Sequence, residues 1–206
     1  MKVHTKITQA NLTPQLAHEI LVEGNDRFVK NVKAQRNLQQ QVLDTSKGQY
    51  PFAVILSCID SRVPAELVFD QGIGDIFSAR VAGNIVNEDV LGSMEYACKV
   101  AGSKIVVVLG HTGCGAVTAA CNHVEMGNIT ALLNKIQPAV KKIKPKSNTY
   151  TEKEIEEVAS LNVKLTIERI RKESPILNEL EKNNEIEIVG AKYNLKTGKV
   201  TFFDRS

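Results

Sequence analysis

The sequence predicts an α/β fold with a mainly parallel central sheet: four parallel strands plus a C-terminal antiparallel edge strand, flanked by helices and preceded by an N-terminal helical arm. Three observations predict it. Phe52–Leu56 and Lys104–Leu109 are almost wholly apolar runs, as expected of strands buried on both faces of a parallel sheet. Helical and strand-like segments alternate in the order strand, helix, strand, helix, strand, helices, strand, strand. The last two strand-like segments, Glu185–Lys192 and Lys199–Phe203, flank a turn at 194–198, the spacing of a hairpin.

Taken in order, residues 1–11 read as a polar lead-in. Thr13-Pro14 has the form of an N-cap followed by Pro at the first helical position. Leu16, Ile20, Leu21 and Phe28 then share roughly one helical face. Standing ahead of the first core strand, this helix reads as an arm placed to pack on a neighbour. Residues 31–48, rich in Gln, Asn and Lys, hold a second short helix and a turn at Lys47-Gly48. After the first strand come one or two helical turns over Pro64–Phe69 and a turn cluster at 70–75. A strand over Ile76–Val81 follows, then a helix over Asp89–Val100 ended by Gly102. Helices are expected over Gly115–Met126 and Thr130–Ile143, with a loop over Pro145–Thr151. Thr151-Glu152-Lys153-Glu154 resembles a capping box and opens a long helix to about Lys172; Ser174-Pro175 opens a shorter one. No repeat, low-complexity segment or flexible linker interrupts the chain. The expectation is one domain over 1–206, with an arm at 1–45 and a core at 51–206.

Bulk composition narrows the function. With 206 residues the chain can bury a sizeable core. A net charge of +3 demands no nucleic-acid partner, and the run Lys141-Lys142-Ile143-Lys144-Pro145-Lys146, without interleaved aromatics, reads as a solvated helix end and loop. No apolar stretch approaches the ~20 residues of a membrane span, and Met1–Lys6 lacks the apolar core of a signal peptide. A cytoplasmic location is expected. Of the four cysteines, Cys98 and Cys121 fall in helical patterns as small buried apolar residues. Cys58 and Cys114 stand beside other ligand types, which fits metal binding in a reducing compartment better than a disulfide framework.

The chemistry gathers at two strand ends. The first strand stops at Ser57, and Cys58, Asp60 and Arg62 follow at alternate positions. The third is followed by Gly110-His111-Thr112-Gly113-Cys114-Gly115. Open α/β sheets bind their ligands at the carboxyl ends of parallel strands. Cys58, His111 and Cys114 form a Cys₂His set, three protein ligands with one open position, the pattern of a catalytic zinc site. Asp60 and Arg62, two apart on an extended segment, point the same way and can pair. The always-charged guanidinium keeps Asp60 ionised, so that its carboxylate can accept a hydrogen bond from the nucleophile on the metal. Released by Arg62, Asp60 could instead become a fourth ligand and block the site.

Cys-Ile-Asp-Ser-Arg at 58–62 and His-Thr-Gly-Cys-Gly at 111–115, with the segment between them, resemble the β-class carbonic anhydrases. The resemblance runs from about Gly24 to the terminal strand at 200–203. It implies reversible hydration of CO₂ to bicarbonate and a proton, with one Zn²⁺ per chain held by Cys58, His111 and Cys114, and with Asp60 and Arg62 as the catalytic dyad. It further implies a substrate pocket of Gln49, Phe77, Ala82, Tyr96 and the N–H of Gly115. Gln49, in Gly48-Gln49-Tyr50-Pro51, resembles the glutamine of the plant-like (type I, non-allosteric) subtype, which often acts across a dimer interface. Phe77 and Tyr96 match that subtype's aromatic positions, while Ala82 stands where valine is common and widens the pocket slightly. A homodimer or homotetramer is implied, and none of His4, His18 and His123 is assigned as a proton shuttle.

Three other readings compete. One is an enzyme of the same fold hydrolysing CS₂ or COS. Another is a non-catalytic zinc or redox-sensing module, which would need neither Asp60 nor Arg62 nor Gln49. The third, nucleotide binding at Gly110–Gly115, is weak, because the Lys-Ser/Thr of a P-loop is missing.

Overall fold

The computed structural model describes residues 3–204. Met1, Lys2, Arg205 and Ser206, which the expected domain span and lead-in include, lie outside the described residues. Five strands form one sheet: β1 (Ala53–Ser57), β2 (Ile76–Arg80), β3 (Ile105–His111), β4 (Glu187–Tyr193) and β5 (Val200–Phe202), in the order β2-β1-β3-β4-β5. β1 to β4 run parallel and β5 closes one edge antiparallel to β4. From β1 the chain moves to β2 on one side and returns to β3 on the other. The carboxyl ends of β1 and β3 therefore flank the point where the winding reverses, the place where open α/β sheets leave a crevice. Ser57 is level with Leu109, so Cys58 emerges beside the Gly110–His111 end of β3.

Alternation along the buried strands sorts side chains to two faces. Ala53, Ile55, Ile105, Val107 and Leu109 face a layer containing Ala17 and Leu21 of α2 (Pro14–Val29) and Ala65 and Val68 of α4 (Ala65–Val68). Val54, Leu56, Val106 and Val108 face the other layer. That layer is built by α5 (Glu88–Glu95, extended as a π-helical turn to Val100), α9 (Glu152–Glu173) and α10 (Pro175–Lys182). Each fully buried Leu or Ile contributes roughly 1.5–3 kcal/mol to these layers. A third cluster caps the carboxyl end of the sheet: Cys58, Cys114 and Ile85 with residues of α6 (Gly115–Cys121), α7 (Gly127–Leu133), α8 (Gln137–Lys142) and α9.

Several expected elements hold. Thr13 caps α2 through the N–H of Leu16, and Thr151 and Glu154 form the capping box of α9. Others differ for local reasons. Within the expected lead-in lies α1 (Lys6–Ala10), closed by a Thr5–Thr8 capping box that uses Thr in place of the usual Glu or Gln. The helix expected to reach Met126 stops at Cys121, and His123 turns the chain with φ 52°. The helix expected over Thr130–Ile143 is two, because Pro138 lacks an N–H and crowds the preceding turn, so it sits in the first turn of a new helix. The inner face of the N-terminal arm covers the chain's own sheet. Asn25 fixes it there, donating to the carbonyls of Val68 and Gly198 and accepting from the N–H of Val200. Leu16, placed on that face by spacing, points outward. The remaining element, α3 (Leu38–Thr45), is capped by Asn37. No helix among the described residues is long and apolar enough to cross a membrane.

Candidate metal centre and active site

β1 and β3 deliver Cys58 and His111, and Cys114 sits at the N-cap of α6. All three are buried, and their ligand atoms lie within 4.8 Å of one another. Two thiolates and an imidazole this close together would suit a four-coordinate ion such as zinc with one position left open. His111 Nδ1 donates to the carbonyl of Thr112 at 3.0 Å, and in the neutral imidazole this leaves the lone pair on Nε2. Nε2 is buried with no hydrogen-bond partner. A buried nitrogen without a partner costs free energy, and a cation between it and the two sulfurs removes that cost. The donor set fits zinc.

Electrostatics at the cluster favour the thiolate. The Cys114 thiol pulls the pKa of Cys58 well down against the effect of burial, with His111 and the N–H groups of Asp60 and Gly83 adding to it. Cys114 is pushed up in turn, by Cys58 and by burial. Burial opposes a charged His111, but Cys58 and the Thr112 carbonyl outweigh it and raise its pKa. Cys98 and Cys121 are buried thiols apart from this cluster, pushed up by burial to about 12 and about 11.

Asp60 and Arg62 pair as their spacing predicts. Arg62 Nε and Nη2 donate to the two carboxylate oxygens at 2.9 and 2.7 Å, and the Arg62 backbone N–H donates to Oδ1 at 3.0 Å. This fork holds the Asp60 carboxyl well below the usual carboxylate range. Asp60 is mostly covered and Arg62 mostly exposed, which places the pair at the mouth of the cluster.

Two supports were not read from the sequence. Arg80, last residue of β2, donates to the carbonyls of Cys58 at 3.0 Å and Asp60 at 2.7 Å. The parallel register that sets Arg80 level with Ser57 is the only signal that could have found it. Glu156 of α9 accepts the N–H of Gly113 at 2.7 Å and pairs with Lys192 of β4. Nothing in the sequence marks it among the chain's other acidic residues.

The expected pocket residues divide into two groups. Ala82 lies in the 3₁₀ turn Ala82–Asn84, whose Gly83 N–H donates to Cys58 Sγ at 3.4 Å, and Gly115 follows Cys114 directly. Both belong to the metal cluster's surroundings. Phe77 is level with Val54, four residues before Cys58, or ~13 Å along the strand. It packs edge-on to Tyr96 at 6.4 Å in a groove of about 610 Å³ lined by α5 and β2, with none of Cys58, His111 and Cys114 in its walls. Gln49 precedes β1 and is exposed at the opposite end of the sheet.

The family model for carbonic anhydrase matches residues 53–200, the span from β1 to β5 that carries both motifs. The chain belongs to the carbonic anhydrase family. It is 34% identical to carbonic anhydrase 2 of Mycobacterium tuberculosis over 94% of this chain and 95% of that one. It is 32% identical to the carbonic anhydrase of Mycolicibacterium smegmatis over 92% and 93%. Its fold is that of the β class. The β-carbonic anhydrase CafA of Aspergillus fumigatus superposes with a TM-score of 0.74 at 23% identity, covering 81% of each chain. The β-carbonic anhydrase CcaA superposes with 0.73 at 24% identity, over 91% and 87%. In this carbonic anhydrase, the converging Cys58, His111 and Cys114 and the Asp60–Arg62 pair occupy the crevice where the β-sheet topology reverses.

Proposed function

We propose that this carbonic anhydrase performs the reversible hydration of CO₂ to bicarbonate and a proton at one zinc ion per chain, held by Cys58, His111 and Cys114. The observation that carries this reading is the convergence of two sulfurs and an unpartnered buried imidazole nitrogen beside an arginine-fixed carboxylate. Zinc bound there supplies a nucleophile from water near neutral pH. The protein's own groups do the rest. Asp60, immobilised by Arg62, accepts the hydrogen bond of the attacking water and aims its lone pair. The N–H of Gly115, in the first turn of α6 and without an acceptor inside the helix, faces the oxygen on which negative charge develops. The displaced proton passes to solvent, and none of the described histidines outside the cluster is assigned to carry it.

The plant-like subtype is the finer reading. It is supported by Gln49 and by the two-pronged hold of Arg62 on Asp60, which keeps the carboxylate off the metal. Because Gln49, Phe77 and Tyr96 lie far from their own chain's cluster, we read them as belonging to the site of a second copy. That makes the working unit a homodimer or a homotetramer, and the related β-carbonic anhydrases of Sordaria macrospora, 20% identical, are tetrameric. We further read the chain as a single catalytic domain with its N-terminal helices packed on the core. The four free cysteines suit the cytoplasm.

Zinc content and stopped-flow CO₂ hydration test the reading together. One zinc per chain with rapid hydration is expected. One zinc per chain without hydration would refute the substrate, and no zinc would refute the ligand set.

A further inference from the structure

The turn that carries His111 and Cys114 is held from outside by a side chain 43 residues away. α9 reaches this close because two glycines offer no side chain beneath it. A Cβ at Gly110 would stand 2.7 Å from Val163 Cγ2, and one at Gly190 2.9 Å from Val163 Cγ1. Glu156, Ser160 and Val163 follow one another on one face of α9 at the i, i+4, i+7 spacing. With Val163 seated over the glycines, Glu156 Oε1 meets the N–H of Gly113 at 2.7 Å. Gly113, between His111 and Cys114, takes φ 63°, in the left-handed region that favours glycine. Lys192 pairs with Glu156 and also donates to the Glu156 carbonyl at 3.0 Å and to Ser160 Oγ at 3.2 Å, which fixes the carboxylate on α9.

We propose that Glu156 is a positioning residue for the metal-ligating turn, setting the orientation of Cys114 relative to His111 through the Gly113 N–H. This inference rests on the reading of Cys58, His111 and Cys114 as zinc ligands. Groups hydrogen-bonded directly to a metal's ligands typically carry about 10–100-fold in metal affinity, and Glu156, bonded to the backbone between two of them, is expected at the lower end of that range. The role depends on reach, with the charge serving only to hold the side chain. Glutamine at 156 still places an oxygen against Gly113, while Lys192 keeps its bonds to the 156 carbonyl and Ser160. Aspartate keeps the charge but falls one methylene short.

The test measures zinc affinity by competition with a chelator, and the absorption spectrum of the cobalt-substituted protein, for wild type, Glu156→Gln, Glu156→Asp and Glu156→Ala. Thermal midpoints report whether each variant folds. Expected are affinities about 10-fold weaker for the Asp and Ala variants with shifted thiolate-to-cobalt bands, and a Gln variant within about threefold of wild type. Wild-type affinity and spectrum in Glu156→Asp or Glu156→Ala would overturn the proposal, as would a Gln variant as impaired as the Ala variant. A wild-type protein that binds no zinc would instead bring down the ligand reading, and this inference with it.

Discussion

Alanine at Gly110 is expected to damage this protein twice, once through packing and once through the metal turn. The added Cβ stands 2.7 Å from Val163 Cγ2. Carbon–carbon contacts settle near 3.5–4.0 Å, so about 1 Å of room must be found. Val163 cannot supply it by rotating. It is fully buried and β-branched, and its other methyl lies over Gly190, 2.9 Å from where a Cβ there would be. The backbone of α9 must therefore lift. Overpacking of this kind costs about 1–3 kcal/mol, which in a chain of this size lowers Tm by roughly 2–12 °C. Lifting α9 also draws Glu156 away from Gly113, so zinc is retained less tightly. Thermal denaturation followed by circular dichroism measures the first effect and chelator competition the second. Val163→Ala alone loses about 1.6 kcal/mol of burial, but in the Gly110→Ala background it removes the clash. The double variant should then be more stable than the sum of the single effects, by about 1 kcal/mol or more. Wild-type stability in Gly110→Ala, or strictly additive effects in the pair, would refute the close-packing argument.

Other consequences follow from the same geometry. Asp60→Asn should keep one zinc per chain yet lower kcat by about 10²-fold or more, since the acceptor that orders the attacking water is weakened; stopped-flow hydration alongside metal analysis checks this. If Gln49, Phe77 and Tyr96 serve a second copy's site, then mixing Cys114→Ala chains with Gln49→Ala chains under reassociating conditions should restore activity that neither shows alone. Asp70 gives a pH signature. Burial pushes its carboxyl up, but Arg27, the Ala34 N–H and Arg36 override that and hold it below the usual range. A lowered carboxyl stabilises the fold fully above the unfolded pKa of ~3.9, and that contribution disappears as pH falls through the lower folded value. The stability gap between wild type and Asp70→Asn in urea should therefore be constant from pH 7 to 5 and shrink below about pH 4.

The convergence of Cys58, His111 and Cys114 was legible because they are rare chemistry placed just past apolar runs, and buried strands in parallel sheets deliver such residues to one edge. Asp60 and Arg62 were legible because two residues apart on an extended chain is a local relation. α9 announced itself with Thr151 and Glu154. What escaped depends on packing between distant segments. Glu156 reaches Gly113 across 43 residues, and Arg80 reaches the Cys58 carbonyl across 22. Their use follows from strand register and from the depth at which a helix sits over two glycines. The short α1 escaped because its capping box is built from two threonines, and Pro138, inside the span 130–143 where one helix is expected, instead lies in the first turn of a second. The resemblance places Phe77 and Tyr96 in the pocket with Gln49, which often acts across a dimer interface, but carries no strand register. The register of β1 on β2 sets Phe77 level with Val54, away from the cluster, and Tyr96 packs against Phe77.

The most direct test of the central claim compares zinc content and CO₂ hydration in zinc-loaded wild type and Cys114→Ala at neutral pH. The geometry predicts one zinc per chain with rapid turnover in the first, and loss of both metal and activity in the second. A Cys114→Ala protein that keeps its zinc and hydrates CO₂ at the wild-type rate would contradict it.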